Sequence, residues 1–433
     1  MTKTEIKKAI CDAVDSAAEE IIALGEESLS APELGYKEQG ASDRLEVRLT
    51  DMGLQVEHYA RTGLKATLAG GGSAANVALI GELDAVTCFG HPYANPETGA
   101  AHACGHHVQQ AIAWGALYAL QKSGVMPHLG GSVTFMATPA EEFLEMEFRA
   151  SLRERGEIEW FGGKQQMILE GAFDDVDMAM MLHAHPDTPG AALNLDGDSL
   201  GFVAKTIDFY GKAAHGSKPF EGINALNAAM MGLMGVHANR EIFRDEDHIR
   251  IHPIITNGGS IVNSVPDHVR IETYIRGSNA QAIADACEVV ERCMKGAAMS
   301  IGAEVKIETL PGYLPLKQSE LMGRIMETNA IALWGEGSTH RGVPTTGSTD
   351  IGDLSQLIPC LQPTCGGFSG TLHGVDLLVS DKRIAYLDGA KLLAMTAADL
   401  LADGAAAARE VKAAYTPAFT KESYLQFLEA QRG

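Results

Sequence analysis

The sequence predicts an α/β protein: a mixed, largely parallel sheet flanked by helices, with a smaller α+β domain inserted into it. Three observations carry that prediction. Short, almost unbroken apolar runs alternate with helical periodicity in the first 197 residues, as buried parallel strands require. Near residue 198 the pattern changes to period-two alternation, which marks strands with one face solvated. After about residue 312 the α/β character returns. The boundaries read as one α/β domain over 1–197 and 313–433, interrupted by an inserted domain over 198–312.

The elements follow in order. Residues 4–30 place Ile6, Ala9, Ile10, Ala13, Ala17, Ile21 and Ile22 at helical spacing, giving an amphipathic helix that Ser-Ala-Pro-Glu-Leu-Gly at 30–35 breaks. A second helix is expected over 38–52, ending at Gly53. Residues 64–69 and 76–83 read as strands on either side of the Gly70-Gly71-Gly72 turn. A helix over 106–123 and buried strands over 131–137 and 176–183 complete the first half. The inserted domain reads β-α-β-β-α-β, with alternating strands in SLGFVAKTIDFYGK, DHIRIHPIITNGG and DHVRIETYIRG and helices over 223–238 and 279–298.

Composition narrows the function. With 45% hydrophobic and 21% charged residues the chain is an ordinary globular one. A formal net charge of −22, without a dense Lys/Arg run, argues against binding nucleic acid or anionic membranes. No apolar run is long enough for a transmembrane helix, and the charged N-terminus lacks the apolar region of a secretory signal. The seven cysteines are sparse and unpaired in pattern, which fits a reducing, cytoplasmic setting.

Chemistry concentrates where strands end. Ala-His-Ala-Cys-Gly-His-His at 101–107 places Cys104 and His106 two apart at a helix start, and thiolate and imidazole both suit a borderline divalent metal. Ala-Thr-Pro-Ala-Glu-Glu at 137–142 offers two carboxylates after a buried strand, one to bind metal and one to act as a base. His183 ends the run VDMAMML, and strand C-termini of open α/β sheets are where ligands bind. His373 lies in Gly-Thr-Leu-His-Gly, and His215 in the small-residue loop Gly-Lys-Ala-Ala-His-Gly-Ser. Each motif alone has an ordinary alternative: a chance loop, a solvated acidic turn, a satisfied histidine. Together they form the donor set of a dinuclear metal site.

In this order the motifs resemble the peptidase family that contains carboxypeptidase G, aminoacylase, the auxin-conjugate amidohydrolases and the aminobenzoyl-glutamate hydrolases. Glu-Leu-Asp-Ala at 82–85, His-Ala-Cys-Gly-His at 102–106, Pro-Ala-Glu-Glu at 139–142, Leu-His-Ala at 182–184, Ala-His-Gly-Ser-Lys-Pro at 214–219, Gly-Gly-Ser-Ile-Val-Asn-Ser-Val-Pro-Asp at 258–267 and Leu-His at 372–373 carry the resemblance. The Gly-Ser-Thr-Asp-Ile-Gly-Asp run at 347–353 looks most like the aminobenzoyl-glutamate branch.

The resemblance implies a zinc-peptidase-type fold whose inserted domain serves as dimerisation and lid domain of a homodimer. It implies two divalent ions, manganese or zinc with cobalt also accepted. Cys104 would bridge them, with His106, Glu142, His183 and His373 completing the coordination. Glu141 would activate the bridging water, Asp84 would hold a ligand histidine, and His215 would reach a partner's active site to stabilise the oxyanion. Asn263 and Arg276 would meet the carboxylate of a small-molecule substrate, one that is aromatic, carboxylate-bearing or both.

The implied reaction is hydrolysis of the amide of an N-acyl or N-aroyl amino acid. The alternative on the same metals is an aromatic aminohydrolase of the nitroanthranilate type, releasing ammonia. Two departures from the family pattern bear on this choice. His107 follows His106 where a small acid or amide is common, and a long segment, 143–166, follows Glu142. In that segment Glu145 and Glu147 read as a solvated helix face, while Trp160 and Phe161 are either packing or the lining of an aromatic pocket.

Overall fold

The computed structural model describes residues 1–186, 190, 192–195, 197–342 and 347–432. The chain divides into two compact units. The first comprises Met1–Asp198, Lys317–Thr345 and Asp353–Lys421; the second comprises Ser199–Leu316, Thr346–Gly352 and Glu422–Gly433.

A six-stranded sheet organises the first unit. Its order is Val56–Tyr59, Gly63–Leu68, Ser132–Thr138, Asn76–Glu82, Met178–Met180 and Cys360–Leu361. The first two pairings are antiparallel and the remaining three parallel, so the sheet is mixed and largely parallel as expected. The strands on either side of the triple-glycine turn are not neighbours: Ser132–Thr138 pairs between them. Asn76–Glu82 is buried at every position, which is why it reads as an apolar run without alternation. The helix His106–Lys122 packs on this strand and is buried almost all round, because the helices Ala18–Ser30 and Gly389–Ala414 cover its other sides. The expected N-terminal helix is two, Lys3–Ser16 and Ala18–Ser30, joined at Ala17.

The expected strand over 176–183 is divided between two sheets. Met178–Met180 belongs to the large one, while His183–Ala184 joins a four-stranded sheet with Thr364–Cys365, Leu193–Leu195 and Thr339–Arg341. The backbone ladder nevertheless runs on: Ala179, Met181, His183 and His185 each donate N–H to Pro359, Leu361, Pro363 and Cys365. The strand thus outruns the sheet edge and carries His183 beyond it.

The second unit is a four-stranded antiparallel sheet ordered Arg250–Asn257, His268–Gly277, Gly201–Tyr210 and Glu304–Pro311. The helices Ala225–Ala238 and Ala280–Ile301 pack on it around a separate core of Ile207, Phe209, Val269, Ile271 and Val290.

Candidate metal centre

Four loops of the first unit build the site. Cys104 is held by a turn at Gly105, whose φ of +86° favours glycine; a Cβ there would meet the Ala184 side chain at 2.7 Å. His106 opens the following helix and is fully buried. Its Nδ1 lies 2.9 Å from the Asp84 carbonyl and 3.3 Å from Asp84 Oδ1. Asp84 Oδ2 accepts the Glu142 N–H at 2.9 Å, so one buried carboxylate orients both a histidine and the carboxylate loop. His373 reaches the site from a residue at φ +61°, and its N–H donates to the Ala103 carbonyl at 2.7 Å, which ties its loop to the Cys104 turn.

Three overlapping sets of donors result. The ligand atoms of Cys104, His106 and His183 lie within 4.8 Å of one another, as do those of Cys104, Glu142 and His373, and those of Glu82, His106 and Glu141. Cys104 Sγ is 3.4 Å from His183 Nε2, and His373 Nε2 is 3.2 Å from Glu142 Oε1. His106 Nε2, Glu142 Oε1 and Asp84 Oδ1 are buried and make no hydrogen bond, although His106 Nε2 stands 3.1 Å from Glu82 Oε2. Soft thiolate, imidazole and carboxylate donors converging with unsatisfied buried atoms fit a borderline divalent cation.

The electrostatics agree with that fit. Burial and Glu142 oppose ionisation of Cys104, but His183 and His106 overcome them and bring the thiol down to about 6. Burial pushes His183 and His106 down, yet Cys104 and Glu82 pull them up. Cys104 and Glu142 beside it raise His373 to about 11. These imidazoles balance a thiolate and carboxylates that bound cations would otherwise neutralise.

Two further groups, not assigned from sequence, complete the wall. Glu82 and Lys164 form a fully buried ion pair at 2.6 Å, and Gln109 Nε2 donates to the other Glu82 oxygen at 3.0 Å. Burial alone would raise Glu82, but Lys164 and His106 bring it down to about 2. Glu82 sits in the quoted Glu-Leu-Asp-Ala motif, so its signal was visible; Lys164 lies 82 residues away and had none. Glu38 is also buried, accepting from Ala140 N–H and Thr62 Oγ1 at 2.8 Å each, and burial with Asp84 nearby lifts it to about 7. His107 packs against His102 and Tyr386, and burial depresses it to about 3.

Three predicted residues lie in the second unit. His215 is exposed, with Nδ1 accepting from Ser217 N–H at 3.1 Å and facing Ser217 Oγ at 2.8 Å. It bridges to Ser264, and Gly216 N–H donates to the Asn263 carbonyl, so His215 and Asn263 are neighbours. Arg276 donates to Ser348 Oγ at 2.7 Å, and its guanidinium lies over Phe202 and Tyr274.

Residues 78–399, well over half the chain, match the family described as Peptidase family M20/M25/M40. The chain belongs to this family. It is accordingly a metal-dependent amidohydrolase of the M20 group. Among curated M20 relatives, the Xaa-Arg dipeptidase of Mus musculus is 29% identical over 423 residues, covering 92% of this chain and 89% of its own. A p-aminobenzoyl-glutamate hydrolase component of Escherichia coli (strain K12) is 26% identical over 367 residues, covering 82% of this chain and 69% of its own. A Bacillus subtilis structure described as a dinuclear metal binding peptidase from the M20 family superposes with a TM-score of 0.69 at 20% identity, covering 89% of this chain and 99% of that one. At that identity it speaks for the fold.

Proposed function

We propose that the chain hydrolyses the amide bond of an N-acyl or N-aroyl amino acid, using two divalent ions held by Cys104, His106, Glu142, His183 and His373. The observation that carries this reading is that Cys104 belongs to two donor groups at once, one with His106 and His183 and one with Glu142 and His373. Two donor groups that share one thiolate would suit a pair of divalent ions. Bound ions would supply Lewis acidity toward both the attacking water and the scissile carbonyl.

The chain's own residues do the rest. Glu141, 7% exposed and adjoining His106, takes a proton from the water as its oxygen bonds to the acyl carbon. It returns that proton to the amide nitrogen as the C–N bond breaks, so a carboxylic acid and an amine leave. Asp84 keeps His106 and the Glu142 peptide oriented. For the second unit we propose homodimerisation, with His215 stabilising the oxyanion and Asn263 and Arg276 receiving the substrate carboxylate. The aromatic flanks of Arg276 and its bond to Ser348 support a fixed guanidinium for that task.

The test is a product screen after chelation and reloading with zinc, manganese or cobalt. N-acyl and N-aroyl amino acids, dipeptides and aminobenzoates are offered, with amino acid and ammonia assayed separately. Amino acid release that falls by about 10²–10⁴ in Glu141→Gln, with metal content unchanged, is expected. Ammonia from an aminobenzoate without amino acid would replace this reading by the aromatic aminohydrolase.

A further inference from the structure

We propose that Arg149, in the long segment after Glu142, is a positioning residue that sets the geometry of Glu141. The inference rests on Glu141 being the base of the reaction above. The segment folds as a turn, the helix Met146–Glu154 and a loop returning to Gly162. Three of its four aromatic residues, Phe143, Trp160 and Phe161, are buried, and Phe143 and Phe161 pack 6.2 Å apart. At their centre Arg149 is 1% exposed.

Its guanidinium donates to three backbone carbonyls. Nη1 meets Phe161 O at 2.6 Å and Ala140 O at 3.4 Å, and Nη2 meets Glu142 O. Two of those carbonyls belong to the residues on either side of Glu141. The N–H groups of the same two residues are taken by buried carboxylates, Ala140 by Glu38 and Glu142 by Asp84. Buried ionisable side chains therefore grip both neighbours of Glu141 from both edges of the backbone. The loop needs the grip, because Ala140 sits at φ +52°, a conformation a non-glycine residue adopts only when its surroundings impose it. The guanidinium also lies over the Tyr36 ring, and a Cβ at Gly35 would come within 2.5 Å of Nη2. A rigid planar fork can serve separated carbonyls together; a lysine ammonium in the same place cannot.

The experiment compares Arg149→Lys and Arg149→Met, each alone and combined with Glu141→Gln. The metal-loaded protein is used throughout, with turnover normalised to folded protein. Expected is a fall in kcat of about 10- to 100-fold in Arg149→Lys, with KM changed less than about threefold. In the Glu141→Gln background the same change should cost almost nothing further, because the residue it orients has already lost its function. Wild-type kcat in Arg149→Lys overturns the proposal, and so does an equal loss in both backgrounds. If neither Arg149 variant folds, the residue is structural and the proposal also falls. Full activity in Glu141→Gln alone would instead overturn the hydrolytic reading beneath it.

Discussion

Lys164 and Glu82 show how a single buried charge depends on its partner. Both side chains are completely shielded, and the carboxylate also faces His106. Removing the ammonium strands a carboxylate in a low-dielectric interior, at a cost of about 3–5 kcal/mol. Lys164→Met should therefore lower the melting temperature of the metal-free protein sharply, and adding Glu82→Gln should recover part of the loss. A change below about 1 kcal/mol would mean that water reaches the pair. Glu141 makes the complementary point: in the proposed mechanism it transfers a proton and supports nothing, so its replacement by Gln should silence turnover without unfolding the protein.

At the scale of elements, the candidate metal ligands are presented by places where regular structure stops. The Gly105 turn feeds His106 into its helix, the His183 strand outruns its sheet, and the loop after Thr138 presents Glu141 and Glu142. In the second unit, adjacent strands are tied by Asp208, which accepts from Arg270 Nε at 2.9 Å and pairs with His268 Nε2 at 2.7 Å. Burial raises this carboxyl, but the hydrogen bonds from Arg270 and His268 lower it below its ordinary 3.8. A depressed folded-state value stabilises above the unfolded one and is lost as pH falls through the folded one. Asp208→Asn should accordingly lower the melting temperature at pH 7. Thermal scans should show the difference from wild type shrinking once pH drops below about 3.8. A difference independent of pH would show that the bonds act through shape alone.

At the scale of the molecule, the second unit leaves apolar side chains in water. Met230, Met231 and Met234 on one helix and Ile254 and Ile255 on the sheet's edge strand are all at least 43% exposed. An edge strand and an apolar helix face are what a self-complementary dimer would cover. If the proposed homodimer closes on this surface, Met234→Lys and Ile254→Lys together should halve the mass that light scattering reports for the wild type. An unchanged mass would place any assembly elsewhere. Among the described residues no helix is long and apolar enough to cross a membrane.

The fold class was legible in the sequence, as were the strand alternation of the second unit and the donor-type side chains of Cys104, His106, Glu142, His183 and His373 that the structure brings together. Those signals are local: periodicity reports which side of a strand or helix is buried, and each ligand motif sits within a few residues of an element's end. The early separation of the two glycine-linked strands, the division of 176–183 between two sheets and the joining of Thr346–Gly352 and Glu422–Gly433 to the second unit were decided only in three dimensions. So were the grip of Arg149 on the carboxylate loop and the Glu82–Lys164 pair. A buried arginine and a solvated one have the same local sequence signature, because what separates them is the energy of leaving water. That energy is met by partners distant in the chain, and only the packed structure brings those partners within reach.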